Sequence, residues 1–227
     1  MTTPDQPQAA SLAARWQQTV APLLPTAAGE AAWRYVLGAY AGPDRHYHAL
    51  AHLATMFAVL DAHPEKASDA AVLELAVWFH DAVYDSLRHD NEARSAEAAL
   101  QYLQGSRLSA EQLARLDYLI RRTQHHARTE PNDGLDTALL LDADLWILGA
   151  EPAQYAAYAR QVRQEYNLVP KLLYRPGRAK VLRHLLEAPQ LYRTRYAQQQ
   201  RDAAARRNLA AELQAWENGR GLDDLSG

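Results

Sequence analysis

The adjacent pair His80 and Asp81, in the segment AVWFHDAVYD (76–85), is flanked on both sides by residues of related chemistry. Upstream, RHYHALAH (45–52) places two imidazoles four positions apart, and downstream, LLLDADLWILG (139–149) carries two carboxylates. Imidazole and carboxylate are the side chains that hold Zn, Mn, Fe, Co, Ni or Mg, and an ion with open positions activates water. The pattern predicts metal-dependent hydrolysis with one or two divalent ions.

Helices must position these residues, because the composition favours helix along the whole chain. Ala, Leu, Arg, Gln and Glu are abundant and β-branched residues are sparse, while 48% of the residues are apolar and can form a core. We predict an all-α protein with one domain of roughly ten helices over residues 11–218. Its metal-site core covers about 45–150, and tails at 1–10 and 219–227 are expected to be disordered.

Three of the predicted helices carry the candidate residues. A helix over about 46–62 would place His48 and His52 one turn apart on the same face. The helix over about 67–84 is the most apolar, so it should be central, and its polar C-terminal end needs partners. A helix over about 135–148 carries the two downstream carboxylates. Convergence of the three helices would assemble two imidazoles and two carboxylates around one ion.

Composition also excludes several classes of function. The net charge of −3 gives no strong field for duplex nucleic acid, and the absence of cysteine excludes disulfides and thiolate metal sites. No apolar stretch approaches the roughly 20 residues of a membrane span, so no membrane partner is expected. The polar start MTTPDQPQAAS is unlike a signal peptide, which predicts a cytoplasmic protein.

The order His…His-Asp…Asp on a helical chain resembles the HD superfamily of metal-dependent phosphohydrolases. The resemblance covers about 45–150, and NEARSAEAA (91–99) with EYNLVPKLLYRPGRAKVLRHLL (165–186) extends it to a bacterial family of predicted HD phosphohydrolases. It implies hydrolysis of a phosphomonoester or phosphodiester, with a nucleotide or related small phosphate as substrate. YHALAH (47–52) is similar to the YHNxxH stretch of cyclic nucleotide phosphodiesterases, but position 49 is Ala, so cyclic nucleotides are not implied.

The resemblance implies four metal ligands: His52, His80, Asp81 and Asp144. ADLW (143–146) is similar to the segment whose Asp completes the site in HD proteins, which favours Asp144 over Asp142. Asp142 could then be an acidic residue in the first turn of a helix or orient a ligand histidine, and we expect the second role. His48 corresponds to the histidine that protonates the leaving oxygen, and Asp81 can also steer the attacking water.

Four further residues are candidates for catalysis or substrate binding. Asp85, one turn after Asp81 if the helix continues, could orient a ligand or the water, or be an acidic residue without a role. Arg45 could contact phosphate or form a surface salt bridge. His126 could face the cleft as a substrate contact, or bind a second ion. Arg178 belongs to a basic run around a Pro-Gly turn that could form a phosphate-binding rim or a solvated face.

The residues leave other functions open. A di-iron oxygenase, from a smaller branch of the HD superfamily, would keep the ligands but require His126 to bind metal. A non-catalytic helical module would bind a nucleotide or metal without turnover, and a structural interaction protein would hold no metal. If the protein is a phosphohydrolase, its expected partner is a small phosphorylated substrate. A homo-oligomer is compatible with each of these functions.

Overall fold

The computed structural model describes residues 6–219, and the outermost parts of the two predicted tails, 1–5 and 220–227, lie outside the described residues. Ten helices of ten or more residues account for most of this range: α1 (Gln6–Val20), α2 (Thr26–Tyr40), α3 (Leu50–Ala62), α4 (Ala70–Phe79), α5 (Asn91–Tyr102), α6 (Ala110–Arg122), α7 (Leu135–Asp144), α8 (Pro152–Glu165), α9 (Lys171–Glu187) and α10 (Ala203–Glu217). No strand occurs within residues 6–219, so the all-α prediction is confirmed.

Shorter helical segments join some of these helices. Turns of 3-10 helix follow α6 (Thr123–His125) and α7 (Leu145–Gly149). A single α-helical turn (Arg195–Ala197) and a π-helical segment (Gln198–Asp202) lead into α10. The first helix begins at Gln6, so the prediction of a tail up to residue 10 is wrong for its last five residues.

Two helix ends near the candidate site differ from the prediction. Helix α3 begins at Leu50 instead of about 46, and α4 ends at Phe79 instead of about 84. Three backbone N–H groups beyond α4 find acceptors on other helices. Those of residues 81, 83 and 85 donate to the side chains of Tyr40, Ser95 and Asn91, respectively. These tertiary acceptors replace the carbonyls that a longer helix would have used.

Helix α4 is the centre of the first hydrophobic core, as its apolar run predicted. Its residues from Leu75 to Phe79 are fully buried, and the ring of Trp78 packs within 5.7 Å of the rings of Trp16 and Trp33. Burying a side chain of this size contributes about 1.5–3 kcal/mol or more. The polar residues at the end of α4 are therefore held by a rigid apolar element.

A second hydrophobic core is formed by α8, α9 and α10, around Tyr155, Leu182 and Leu209. Helix α9 is continuous through Pro176 and Gly177, so the predicted Pro-Gly turn is wrong. The proline ring disrupts only the hydrogen bond to the carbonyl four residues earlier, which lies in the exposed first turn of α9 and can be hydrated. Burial of apolar side chains before and after Pro176 keeps the helix in place.

None of the helices within residues 6–219 combines the length and the apolar character needed to cross a membrane.

Candidate metal centre

Three of the predicted ligands meet where α3 and α4 are in contact. His52 lies in the first turn of α3, and His80 and Asp81 follow the last residue of α4. One ligand atom from each residue lies within 4.8 Å of the others, so the group could hold a metal ion. The two imidazole Nε2 atoms are 3.2 Å apart, and Nε2 of His80 is 3.1 Å from Oδ2 of Asp81.

Asp144, the last residue of α7, supplies a fourth oxygen. Its Oδ1 lies 3.2 Å from Nε2 of His52 and 3.8 Å from Nε2 of His80. All four side chains are buried or largely buried. The four residues that the resemblance implied as ligands therefore form one cluster.

The hydrogen bonding of His80 fits metal ligation. Its Nδ1 donates to the carbonyl of Val77 at 2.9 Å, which directs Nε2 at the cluster, where it would offer a lone pair once its proton is released. Two ligands of one ion at about 2.0–2.2 Å are separated from each other by about 3.0–3.5 Å. The separations between His80 and Asp81 (3.1 Å), His52 and His80 (3.2 Å), and His52 and Asp144 (3.2 Å) are in this range. The separation between His80 and Asp144, 3.8 Å, is slightly longer. The residues present thus fit a divalent ion.

The charges of the cluster are strongly coupled. Burial alone would raise the pKa of Asp81 and Asp144, but the surrounding imidazoles outweigh it and hold both pKa values below the usual range. Burial likewise opposes protonation of His80, but the neighbouring carboxylates raise its pKa to about 9. Burial lowers the pKa of His52. At neutral pH the cluster without an ion therefore contains two carboxylates, a neutral His52 and a protonated His80, and ligation by His80 requires release of its proton.

His48 lies beside the cluster, but not on the helix that carries His52. It precedes α3 in a bend, so the prediction that the two histidines share one helix face is wrong. Its Nε2 is 3.9 Å from Oδ2 of Asp81, and its ring packs against that of Tyr84 at a tilt of 31°, with the ring centroids 4.4 Å apart. Burial opposes protonation of His48, but Asp81 and Glu165 outweigh it and raise the pKa.

Glu165, the last residue of α8, fixes the segment that carries His48. Its Oε1 accepts hydrogen bonds from the backbone N–H groups of residues 46, 47 and 48, at 2.9, 2.7 and 2.9 Å. Its Oε2 accepts from Nδ1 of His48 at 2.7 Å and from the hydroxyl of Tyr84 at 3.1 Å. Burial would raise the pKa of Glu165, but these donors lower it to about 2. The same bonds explain why α3 starts at Leu50.

The sequence did not identify Glu165 as part of the site, although α8 carried a signal. The buried residues of α8 recur at helical spacing, at Tyr155, Ala159 and Val162, and Glu165 continues this stripe. A carboxylate on an apolar helix face needs a buried partner. The partner lies 117 residues earlier in the chain, so its identity required the tertiary structure.

Arg45 connects the two segments that carry the site residues. Its guanidinium donates to the carbonyls of His48 and Asp81, at 3.0 and 2.8 Å, and to that of Ala82 at 3.2 Å. A phosphate contact by Arg45 stays a prediction. In the described structure, the side chain holds His48 and Asp81 in a fixed relation to each other.

His126 contacts the cluster through Asp144. Its Nε2 lies 2.7 Å from Oδ2 of Asp144, on the carboxylate oxygen that does not face His52. Glu92 lies in the same region, where burial and the charge of Asp81 raise its pKa. The segment of His126 is held by Arg193, which donates to its carbonyl.

Asp142 anchors a neighbouring segment instead of orienting a ligand histidine. Its carboxylate accepts hydrogen bonds from the backbone N–H groups of Arg193 and Thr194, at 2.6 and 2.8 Å, and from the Thr194 hydroxyl at 2.7 Å. The expectation for Asp142 is therefore wrong, because both carboxylate oxygens bind the chain before α10. This anchor places Arg193 against the segment of His126.

Two other candidates lie in different surroundings. Asp85 is exposed in the turn after α4, where its carboxylate accepts from the N–H of Leu87 at 2.9 Å. The prediction that it continues the helix face of Asp81 is wrong, because α4 ends earlier. Arg178 is largely buried beside the second core and forms a two-bond ion pair with Glu212, with both distances 2.8 Å. Substrate contact by Arg178 would have to compete with this pair.

Comparisons with known proteins add no further constraint on this centre. No family model matches the chain, and no curated protein or solved structure is significantly similar to it. The interpretation of the centre therefore depends on the identity and geometry of its own side chains.

Proposed function

We propose that the protein is a metal-dependent phosphohydrolase of the HD type that acts on a small phosphorylated substrate, with nucleotides as the first class to test. One observation carries the proposal: the ligand atoms of His52, His80 and Asp81 lie within 4.8 Å of one another, and Asp144 is in hydrogen-bond distance of His52. These are the residues that the resemblance to the HD superfamily selects. They are contributed by three separate helical regions, so their convergence is a property of the fold.

The four residues would hold a divalent ion through two imidazole nitrogens and carboxylate oxygens, which leaves positions for water and substrate. The chemistry that such an ion supplies is polarisation of a phosphoryl oxygen and activation of a water molecule. Ligand type permits Mn, Mg, Fe, Zn, Co or Ni, as one ion or as two.

His48 is the residue that we assign to protonation of the leaving oxygen. Nδ1 donates to Glu165, which fixes the ring orientation and keeps the Nε2 edge towards Asp81. The adjacent ring of Tyr84 restricts rotation of the imidazole. A positioned general acid contributes about 10²–10⁴-fold to a rate. Arg45 and Glu165 act on this step through His48, because both bind its backbone.

The test combines metal analysis with an activity screen. Wild-type protein and the double variant His80→Ala/Asp81→Ala are purified, analysed for bound metal, and assayed for phosphate release from nucleotides with added Mn, Mg, Co or Ni. His89→Ala removes an exposed imidazole and is the matched control. We expect metal and phosphate release in the wild type and the control, and neither in the double variant. Folded wild-type protein with neither metal nor turnover would refute the proposal.

One contact favours a second candidate function. Asp144 faces His52 with one oxygen and His126 with the other, so its carboxylate lies between two sets of imidazoles. This arrangement is what a di-iron oxygenase of the same superfamily would need from His126. Purified protein that contains iron, has a visible absorption band and loses it in His126→Ala would favour the oxygenase. Metal binding with neither activity would instead indicate a non-catalytic module.

A further inference from the structure

Three leucines stand out from the surface where α8 is followed by α9. Leu168, Leu172 and Leu173 are 80%, 84% and 64% exposed, and we call them the leucine tip. Large apolar side chains are seldom so exposed in a group, and such groups mark sites of interaction. Exposure of this degree also means that the side chains project beyond their neighbours. The leucine tip therefore protrudes from the surface.

The chain around the leucine tip is basic. Residues 166–186 contain five Lys and Arg residues and no Asp or Glu, so this segment carries +5 in a chain whose net charge is −3. The remaining residues together carry −8. A basic segment with exposed apolar residues on a helix is typical of a surface that meets an anionic partner.

Some of these basic side chains are already neutralised. Arg178 pairs with Glu212, and Arg183 pairs with Glu217 at 2.5 Å. Lys171 and Lys180 are exposed and make no ion pair among residues 6–219. Lys171 adjoins the leucine tip, and Lys180 lies seven positions after Leu173, on the same face of α9.

Charge argues against a second copy of the chain as the partner. A two-fold dimer brings the same patch of both copies together, so the two basic segments would oppose each other. A lipid surface of negative charge fits the combination better. A protruding group of leucines can enter the boundary of headgroups and acyl chains, while flanking lysines remain at the level of the headgroups.

We propose that the leucine tip, with Lys171 and Lys180, docks the protein on an anionic lipid surface. The expectation of no membrane partner was drawn from the absence of a spanning segment, and a helix that lies in the interface needs none. The proposal is independent of the metal centre and would hold if the protein proved not to be an enzyme.

The experiment is co-sedimentation of the full chain with vesicles. One set of vesicles contains phosphatidylcholine alone, and the other contains phosphatidylcholine and phosphatidylserine in equal amounts. The variants are Leu172→Ser/Leu173→Ser and Lys171→Gln/Lys180→Gln. Because these side chains are exposed, both variants should fold, which circular dichroism checks. Leu87→Ser, at an exposed leucine outside α8 and α9, and Arg121→Gln, at an exposed guanidinium of α6, are the matched controls.

We expect wild type and both controls to bind the anionic vesicles at least tenfold more strongly than the neutral ones. Each tip variant should lose at least tenfold of this binding, and about 1 M salt should remove most of it by screening. No binding to anionic vesicles, or equal binding to both kinds, would overturn the proposal. Two other results would also overturn it. One is a dimer, seen by sedimentation velocity, that dissociates in the leucine variant. The other is binding to soluble poly-glutamate that the leucine substitutions do not change.

Discussion

Replacing Glu165 by alanine should lower the free energy of unfolding by about 3 kcal/mol. The buried carboxylate accepts from the N–H groups of three successive residues, 46–48, at 2.7–2.9 Å. A hydrogen bond to a charged group contributes about 1.5–3 kcal/mol, and a neutral one about half of this. Water can reach the part-buried donors once the carboxylate is removed, so we take about 1 kcal/mol for each of the three N–H groups.

Glutamine at position 165 separates stability from catalysis. Its Oε1 can still accept from the three N–H groups, so the expected cost is about 1 kcal/mol, for the lost charge. Its amide cannot supply the negative charge that favours protonated His48. If His48 protonates the leaving oxygen, phosphate release should fall by at least about tenfold in Glu165→Gln, because a general acid contributes about 10²–10⁴-fold.

The assay is urea unfolding followed by circular dichroism, on metal-free protein, for wild type, Glu165→Ala and Glu165→Gln. Glu187→Ala, at an exposed acid at the end of α9, is the control and should stay within about 0.5 kcal/mol of wild type. An alanine variant equal in stability to the wild type would show that Glu165 does not hold the segment before α3. A glutamine variant with full turnover would show that its charge does not act through His48.

Two further predictions concern residues away from the centre. Gly149→Ala should lower the free energy of unfolding by about 1–3 kcal/mol, because an added Cβ would lie 2.7 Å from the carbonyl oxygen of Arg201. Thermal unfolding measures this, and an unchanged midpoint would contradict the close approach. Burial would raise the pKa of Asp133, but the ion pair with Arg122 and the hydrogen bonds from the Glu130 N–H and the Tyr118 hydroxyl lower it to about 2. Since the folded pKa is below the unfolded value of 3.8, this stabilisation is present above about pH 4 and is lost as the pH falls through about 2. After discounting for solvent screening, this stabilisation is about 1 kcal/mol. Urea unfolding of wild type and Asp133→Asn at neutral pH and at about pH 3 checks it: the variant should lose less free energy of unfolding on acidification than wild type. An equal loss in both proteins would refute the assignment.

The sequence was sufficient for the helical class and for the members of the cluster. Helix propensity and apolar spacing act locally, so each of the three predicted ranges contains a helix, and α7 begins at its predicted start, Leu135. The central position of α4 followed from its apolar run. Metal chemistry restricts the side chains that can serve as ligands, and the resemblance to the HD superfamily then selected His52, His80, Asp81 and Asp144 among them.

Only the tertiary structure decided how the segments between helices are held. The ends of α3 and α4 were misjudged because their neighbouring backbone N–H groups bond to side chains from other helices, chiefly Glu165, Tyr40 and Ser95. Local propensity carries no information about such partners. Residue type gave no sign that Arg45, for which a phosphate contact stays a prediction, holds the carbonyls of His48 and Asp81. Asp142 was expected to orient a ligand histidine, whereas it holds backbone N–H groups of another segment. Residue types thus limited the chemistry, and long-range hydrogen bonds to the backbone determined where each group stands.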